Sequence, residues 1–353
     1  MTKWISSAAA RGAWLVIGIA GALAACNDDD DTTTPDPSTP NTPNTPAPTS
    51  PTPTTPVSET QKAEDRFWAA MGTADWQATE GLVGTFKDLK TKDPNDVRAI
   101  TLHGLTSLWR IAESDRLADP QQIQAITQAT APGMMESLEA AHQKDPKNTV
   151  LTSFYATVCV DFGTFSKNEG LVAKGRALFA QAKAEDPLIG NSFQILTLRT
   201  LPPNSADFDA ALEASWQWFD DCAKQKIDRE SPDFEGWLKT LGTIDDFKGS
   251  RKFCGDTDKA PYALRTMLLT VGDALVAKGK VEAAKKAYLA THVLRDKPFV
   301  PAPAWPHADA VEARLSSNLD ARAKSYSDPD PSKWAEMGTN PSSCTVCHAT
   351  TAK

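Results

Sequence analysis

The 353-residue chain has almost no run in which β-branched and polar residues alternate, so it offers little from which to build a half-buried β-strand. It has no glycine-rich loop of the kind that cradles phosphate, no H-E-x-x-H and no G-x-S-x-G nucleophile turn. Its paired carboxylates, Asp220-Asp221 and Asp245-Asp246, sit near lysines and read as solvated helix faces. No catalytic constellation is left, and the chain is not expected to be an enzyme. Basic charge is lacking too: 45 Asp and Glu outweigh 37 Lys and Arg, for a formal net charge of −8. That balance argues against nucleic acid and against electrostatic adhesion to anionic lipid.

What is present begins with an export signal. In residues 1–25, Lys3 and Arg11 precede and flank a short apolar stretch, Ala13 to Ala20, followed by small residues. The stretch is too short and too weakly flanked for a membrane-spanning helix. Removing Lys3 and Arg11, its only charged residues, takes the formal net charge from −8 to −10. The cleavage region Leu23-Ala24-Ala25-Cys26 resembles the lipobox of bacterial lipoproteins. That resemblance implies lipidation of Cys26, which would become the first residue of the mature protein. Several acyl chains on one residue anchor stably where a single short chain does not. The expected place is the bacterial cell envelope, lipid-anchored, with Asn27 and four aspartates after the anchor leaning it to the outer membrane.

Residues 26–58 are then a disordered tether made almost entirely of Thr and Pro after the acidic run. Its roughly thirty residues, polyproline-like at ~3.1 Å each, reach up to ~100 Å. Attachment rests on lipid, and reach on the tether.

Residues 59–335 form the body, and their apolar positions recur every three or four residues. Phe67-Trp68-Met71 and Leu102-Leu105-Leu108-Trp109 are examples. The expected fold is all-α. Three predicted helices share an ending: Lys90-Thr91-Lys92-Asp93-Pro94, His142-Gln143-Lys144-Asp145-Pro146 and Lys183-Ala184-Glu185-Asp186-Pro187. A fourth, Glu282 to Ala290, has the same alanine-rich character and ends near Lys297-Pro298. These helices resemble the second helix of a tetratricopeptide repeat, which has small residues for close packing and a closing proline. The prolines lie 52, 41 and 111 residues apart rather than 34, so the resemblance implies an irregular array. An unrelated helical bundle is the alternative.

The motif richest in chemistry lies in the tail, residues 336–353: Cys344-Thr345-Val346-Cys347-His348. C-x-x-C-H is the spacing for covalent attachment of a c-type haem. Two thiols three positions apart bond two vinyl groups, and the histidine becomes the proximal iron ligand. A dithiol or disulfide pair and a transition-metal site are the alternatives, although no nearby second pair completes a zinc site. The tail's only sizeable apolar groups are Trp334, just before it, Met337 and Val346, too few to enclose a porphyrin. The cofactor would have to lie against the body, a second copy or another protein. Met337 and His307 are the candidates for a sixth ligand, with His307 following a proline-rich loop that could fold over the ring. The position of the motif resembles that in cytochromes c′, but nothing else does.

Three cysteines remain. Cys159 lies in an apolar helix and is expected to be a buried small hydrophobe. Cys222 and Cys254 are candidates for a disulfide.

The expectation is a membrane-tethered monohaem c-type cytochrome lipoprotein carrying one covalent haem c. It would pass electrons within a periplasmic or cell-surface redox assembly, with redox or envelope proteins as partners. A different class is the alternative. The body is broadly similar to repeat-like helical lipoproteins that accompany solute transporters, and would then bind a partner or ligand for an envelope or transporter complex.

Overall fold

A computed structural model describes residues 57–241, 248–296, 303–328 and 344–350. Cys26, Met337 and the Asp245-Asp246 pair lie outside them. Among the described residues the chain is all-helical, its one β-bridge joining Thr257 to Ala260. None of these helices is long and apolar enough to cross a membrane. Helix α1 (Glu59–Gly72) begins where the Thr/Pro composition stops, its N-cap Ser58 accepting from the N–H of Gln61. Helices α2 (Ala78–Lys92), α3 (Val97–Ala112), α4 (Pro120–Lys144), α5 (Thr149–Ser166), α6 (Glu169–Glu185) and α7 (Pro187–Gln194) follow. Then come α8 (Ala206–Ala223), α9 (Phe234–Thr240), α10 (Ala263–Ala277), α11 (Val281–Asp296), α12 (Ala308–Ser316), α13 (Leu319–Ser325) and a single turn, α14 (Thr345–His348).

The three Asp-Pro signatures end α2, α4 and α6, and one mechanism explains all three. A residue before proline is pushed out of the helical region. Asp93, Asp145 and Asp186 accordingly take ψ of 96°, 67° and 100°. Each carboxylate then organises the turn it opens. Asp93 accepts from the N–H of Asn95, Asp145 from the amide of Asn148, and Asp186 from the N–H of Leu188 at the start of α7. Asp96 and Asn148 cap α3 and α5 by accepting from Ala99 and Leu151. Lysines in the last turns of α2, α4 and α6 face the negative helix ends.

Consecutive helices pack as pairs, most extensively α5 with α6, α3 with α4 and α10 with α11. Glycine sets how close α5 and α6 come. A Cβ on Gly175 would lie 2.6 Å from Val160 Cγ2 and 2.9 Å from the carbonyl of Ala156. Between α10 and α11 the chain reverses at Gly279, whose φ of 73° suits glycine. A continuous core runs through the pairs, with Phe67, Trp109, Phe154, Trp218 and Tyr288 all fully buried. Cys159 is buried within it, and burial pushes its thiol up to about 12.

Two alanine substitutions should move stability in opposite directions. Gly81 in α2 has open space around it, so Gly81→Ala should gain about 0.5–1 kcal/mol from helix propensity. Gly175→Ala should lose about 1–3 kcal/mol, because two helix backbones must part. Urea titration of both variants measures the contrast, and equal shifts would refute the close-packing account.

Candidate functional site

The C-x-x-C-H turn is not an appendage outside the body. Cys344, Cys347, His348 and Ala349 are all buried, with α14 set against α1 and α10. Its anchors are backbone groups that helix ends leave without partners. The carbonyl of Gly72, at the end of α1, accepts from the N–H of Thr350 (2.9 Å) and from its hydroxyl (3.2 Å). Tyr262, the residue before α10, donates its N–H to the carbonyl of Cys347 (3.1 Å). The tyrosine hydroxyl donates in turn to the carbonyl of Pro303 (3.0 Å). The end of the proline-rich loop therefore packs beside the motif, although residues 297–302 of that loop lie outside the described ones.

His348 is 3% exposed, and its Nδ1 hydrogen-bonds the carbonyl of Lys259. A carbonyl only accepts, so Nδ1 must carry the proton and Nε2 the lone pair. Burial pulls the imidazole down to about 4, and the Lys259 carbonyl offsets only part of that, so the ring is neutral at physiological pH. Nε2 is buried with no hydrogen-bond partner. Metal-bound histidines are oriented in this way, the other ring N–H held by a carbonyl or carboxylate. The ring lies 6.2 Å from that of Trp68 at 44°, and Trp68 also carries the Lys259 ammonium 5.4 Å from its centroid.

Neither Cys344 nor Cys347 is in a disulfide. Burial pushes the Cys344 thiol well above its usual range, and the Glu113 carboxylate adds to it. Burial pushes Cys347 up to about 11, with the Thr266 hydroxyl and the Arg199 guanidinium opposing. Both sulfurs are buried and held above the ordinary thiol range in this arrangement, so any reaction at either of them needs the turn to open first. Ala260 and Ala263 pack on Cys347.

Three further buried polar atoms near this turn have no hydrogen-bond partner: Arg199 Nη1, Asp256 Oδ2 and Arg265 Nε. Burial raises Asp256 to about 7 despite the N–H of Leu264 and the Arg265 guanidinium, its Oδ2 lying 3.9 Å from Arg265 Nη1. Buried polar groups are nearly always satisfied. Similar unpartnered atoms lie elsewhere in the core, at Ser107, Ser153, Asn191 and Arg322 among others, so the ones near the motif single out no ligand by themselves; His348 Nε2 is the one that belongs to the motif. No cluster of three or more His, Cys, Asp or Glu among the described residues is arranged to hold a bare metal ion.

His307 precedes α12 without a side-chain capping bond and is half-buried, with the Trp305 ring 6.4 Å from its own. Burial lowers its basicity, opposed by Glu113, the same carboxylate that acts on Cys344. His103 and His142 are tied to Ser137 and Thr152 on helix faces, away from the motif. Lys259 and Tyr262 hold the motif through backbone atoms, so their residue types give no sequence signal. Arg199 lies in a 3₁₀ turn, Ile195–Arg199, distant from the motif in sequence.

The segment carrying Lys259 is braced from behind. Cys222 on α8 is bonded to Cys254, with Cα atoms 5.5 Å apart, only five residues before Lys259. Cys222→Ser/Cys254→Ser should cost roughly 3–4 kcal/mol in the chain-entropy account of a loop this size. Calorimetry with and without reductant checks this, and a parent insensitive to reductant would refute it.

Asp161, buried beside Arg199, accepts from Thr200, yet burial raises it to about 7 from 3.8. The folded form thus holds the proton more tightly, and this contribution to stability, complete below about pH 4, is lost as pH rises through 7. His103 and His348, both held near 4, lose their contribution as pH falls below 6.5, which masks the trend in the parent. Asp161→Asn should therefore gain on the parent by up to about 1.4 kcal/mol per pH unit between pH 4 and 7. Denaturation at four pH values tests it, and a constant difference would refute it.

Comparison with known proteins gives no counterpart: no protein-family model, no curated protein and no solved structure matches this chain.

Proposed function

We propose that this chain is a membrane-tethered monohaem c-type cytochrome lipoprotein that passes electrons within a periplasmic or cell-surface redox assembly. One observation carries the proposal. His348 is buried and neutral, its Nδ1–H fixed by the Lys259 carbonyl and its Nε2 unpartnered, directly after the Cys344–Cys347 pair. A dithiol centre would leave that nitrogen without a purpose.

In this reading Cys344 and Cys347 would hold the haem covalently and His348 would ligate the iron. When bound, the haem supplies one-electron exchange at a potential set by its ligands and burial. The chain's own residues do the rest. The Lys259 carbonyl keeps the lone pair of His348 on Nε2, which also raises its basicity as a ligand. Gly72 and Tyr262 fix the turn so that attachment orders a site already braced. Trp68, Ala260 and Ala263 exclude water from the ligand side. His307, among the described residues, and Met337 would be the candidates for a further iron ligand. The lipobox at Cys26 and the Thr/Pro tether support anchorage in the envelope, with the outer membrane as the proposed site.

Protein produced in a host with a c-type haem maturation system should be red and give a pyridine haemochrome spectrum for one haem per chain. Cys344→Ala/Cys347→Ala should abolish the covalent signal. His348→Ala should keep covalent haem but lose the ligand bands of the parent. A colourless parent despite active maturation would overturn the proposal and leave the helical array as the functional part.

A further inference from the structure

The C-x-x-C-H turn and the surface it rests on are secured very differently. Among the described residues, the turn is tied down through three carbonyls. That of Gly72 accepts from the N–H and hydroxyl of Thr350, that of Lys259 from His348, and the turn's own Cys347 carbonyl accepts from the N–H of Tyr262. Helix α14 is a single turn, too short to persist by itself. Docking also carries a cost, because His348 Nε2 is buried without a hydrogen-bond partner and water would satisfy it on release. The seat itself is firm. Helices α1 and α10 run for 14 and 15 residues and bury their apolar faces in the continuous core. The segment before α10 is bonded to α8 through Cys254.

The two sulfurs of the turn occupy different seats. Cys344 joins the main core, within the field of the Glu113 carboxylate just after α3. Cys347 rests on Ala260, Ala263 and Thr266 at the start of α10. Neither is in a disulfide, and a bond between them, at about 2.05 Å, would draw at least one sulfur out of its seat. Cys159 is buried in another way. It lies in the middle of α5, a helix enclosed along almost its whole length, and is reached only when the body opens. One chain thus holds buried thiols on a weakly tied turn and a buried thiol in the core.

We propose that the docked turn is a latch, closed at the Gly72–Thr350 contact, which withholds the Cys344–Cys347 dithiol from thiol chemistry and opens as a unit while the rest of the fold stays closed. A C-x-x-C pair outside such a seat exchanges with an external disulfide. One thiolate attacks it, forming a mixed disulfide and expelling one thiol, and the second thiolate then displaces the other. The dithiol loses two electrons and two protons, and the external disulfide becomes two thiols. Docking stops this at the first attack, since a buried thiol neither ionises readily nor meets its target. Local opening of a weakly held segment restores access without global unfolding. The latch keeps both sulfurs reduced until they are used, whether or not that use is attachment of haem, so it does not rest on the cytochrome reading.

The experiment follows alkylation of each cysteine by iodoacetamide in the full chain made without haem maturation, read peptide by peptide by mass spectrometry. Cys344 and Cys347 should react at closely similar rates, far more slowly than in urea yet well ahead of Cys159. Thr350→Pro, which removes both donors to the Gly72 carbonyl, should speed the pair about tenfold and leave Cys159 unchanged. Thr350→Val, which removes only the hydroxyl, should speed the pair by less. With glutathione disulfide as the reagent, the same order of variants should hold for loss of the two thiols. Reaction of the pair no faster than Cys159 would mean that only global opening exposes them, and would overturn the latch. So would parent rates equal to those in urea, or a Thr350→Pro chain that reacts like the parent. Haemochrome analysis of matured protein tests the cytochrome reading separately, and its failure would leave these rates as they are.

Discussion

The hydrogen bond between His348 Nδ1 and the carbonyl of Lys259 is the interaction on which the site depends. A buried imidazole has two nitrogens to satisfy, and whichever is paired decides what the other does. Pairing with a carbonyl forces the proton onto Nδ1. Burial forbids a second proton at neutral pH, so Nε2 keeps a lone pair that nothing in the protein uses. That constraint requires the segment before α10 to be rigid. The Cys222–Cys254 bond and the Asp256–Leu264 hydrogen bond, on the two sides of Lys259, supply that rigidity.

The body serves this arrangement by bringing distant segments together. The end of α1, the start of α10 and the last described residues of the chain meet through Gly72, Tyr262 and Thr350. Each contact uses a backbone group that a helix terminus leaves without a partner, so the docking needs no special side chain. The same economy governs the array itself, where Asp-Pro steps end one helix and begin the next. Small residues such as Gly163 and Gly175 then let neighbouring helices approach closely.

Buried charge gives the interior its second organising feature. Asp273 is matched by Arg314 and held below its ordinary range despite burial, while Asp161 and Asp256 are raised to about 7 because their partners are weaker. Arginine thus outnumbers satisfied carboxylate along α10, on the side of the helix where the motif docks. An excess of one sign inside a protein is costly unless a ligand offsets it.

The sequence by itself determined the helical class, the breaks at Asp93, Asp145 and Asp186, and the identity of Cys344, Cys347 and His348. These are local properties: a 3.6-residue period, the steric effect of proline on the residue before it, and a five-residue spacing. It also made Cys222 and Cys254 candidates for bonding, but not how closely they approach. The tertiary structure alone decided that the C-x-x-C-H turn is buried against α1 and α10 rather than carried outside the body. It alone brought Lys259, Trp68 and Arg199 to it. Those residues act through a carbonyl, a ring face and an unpartnered N–H, and their distance along the chain is closed only by folding.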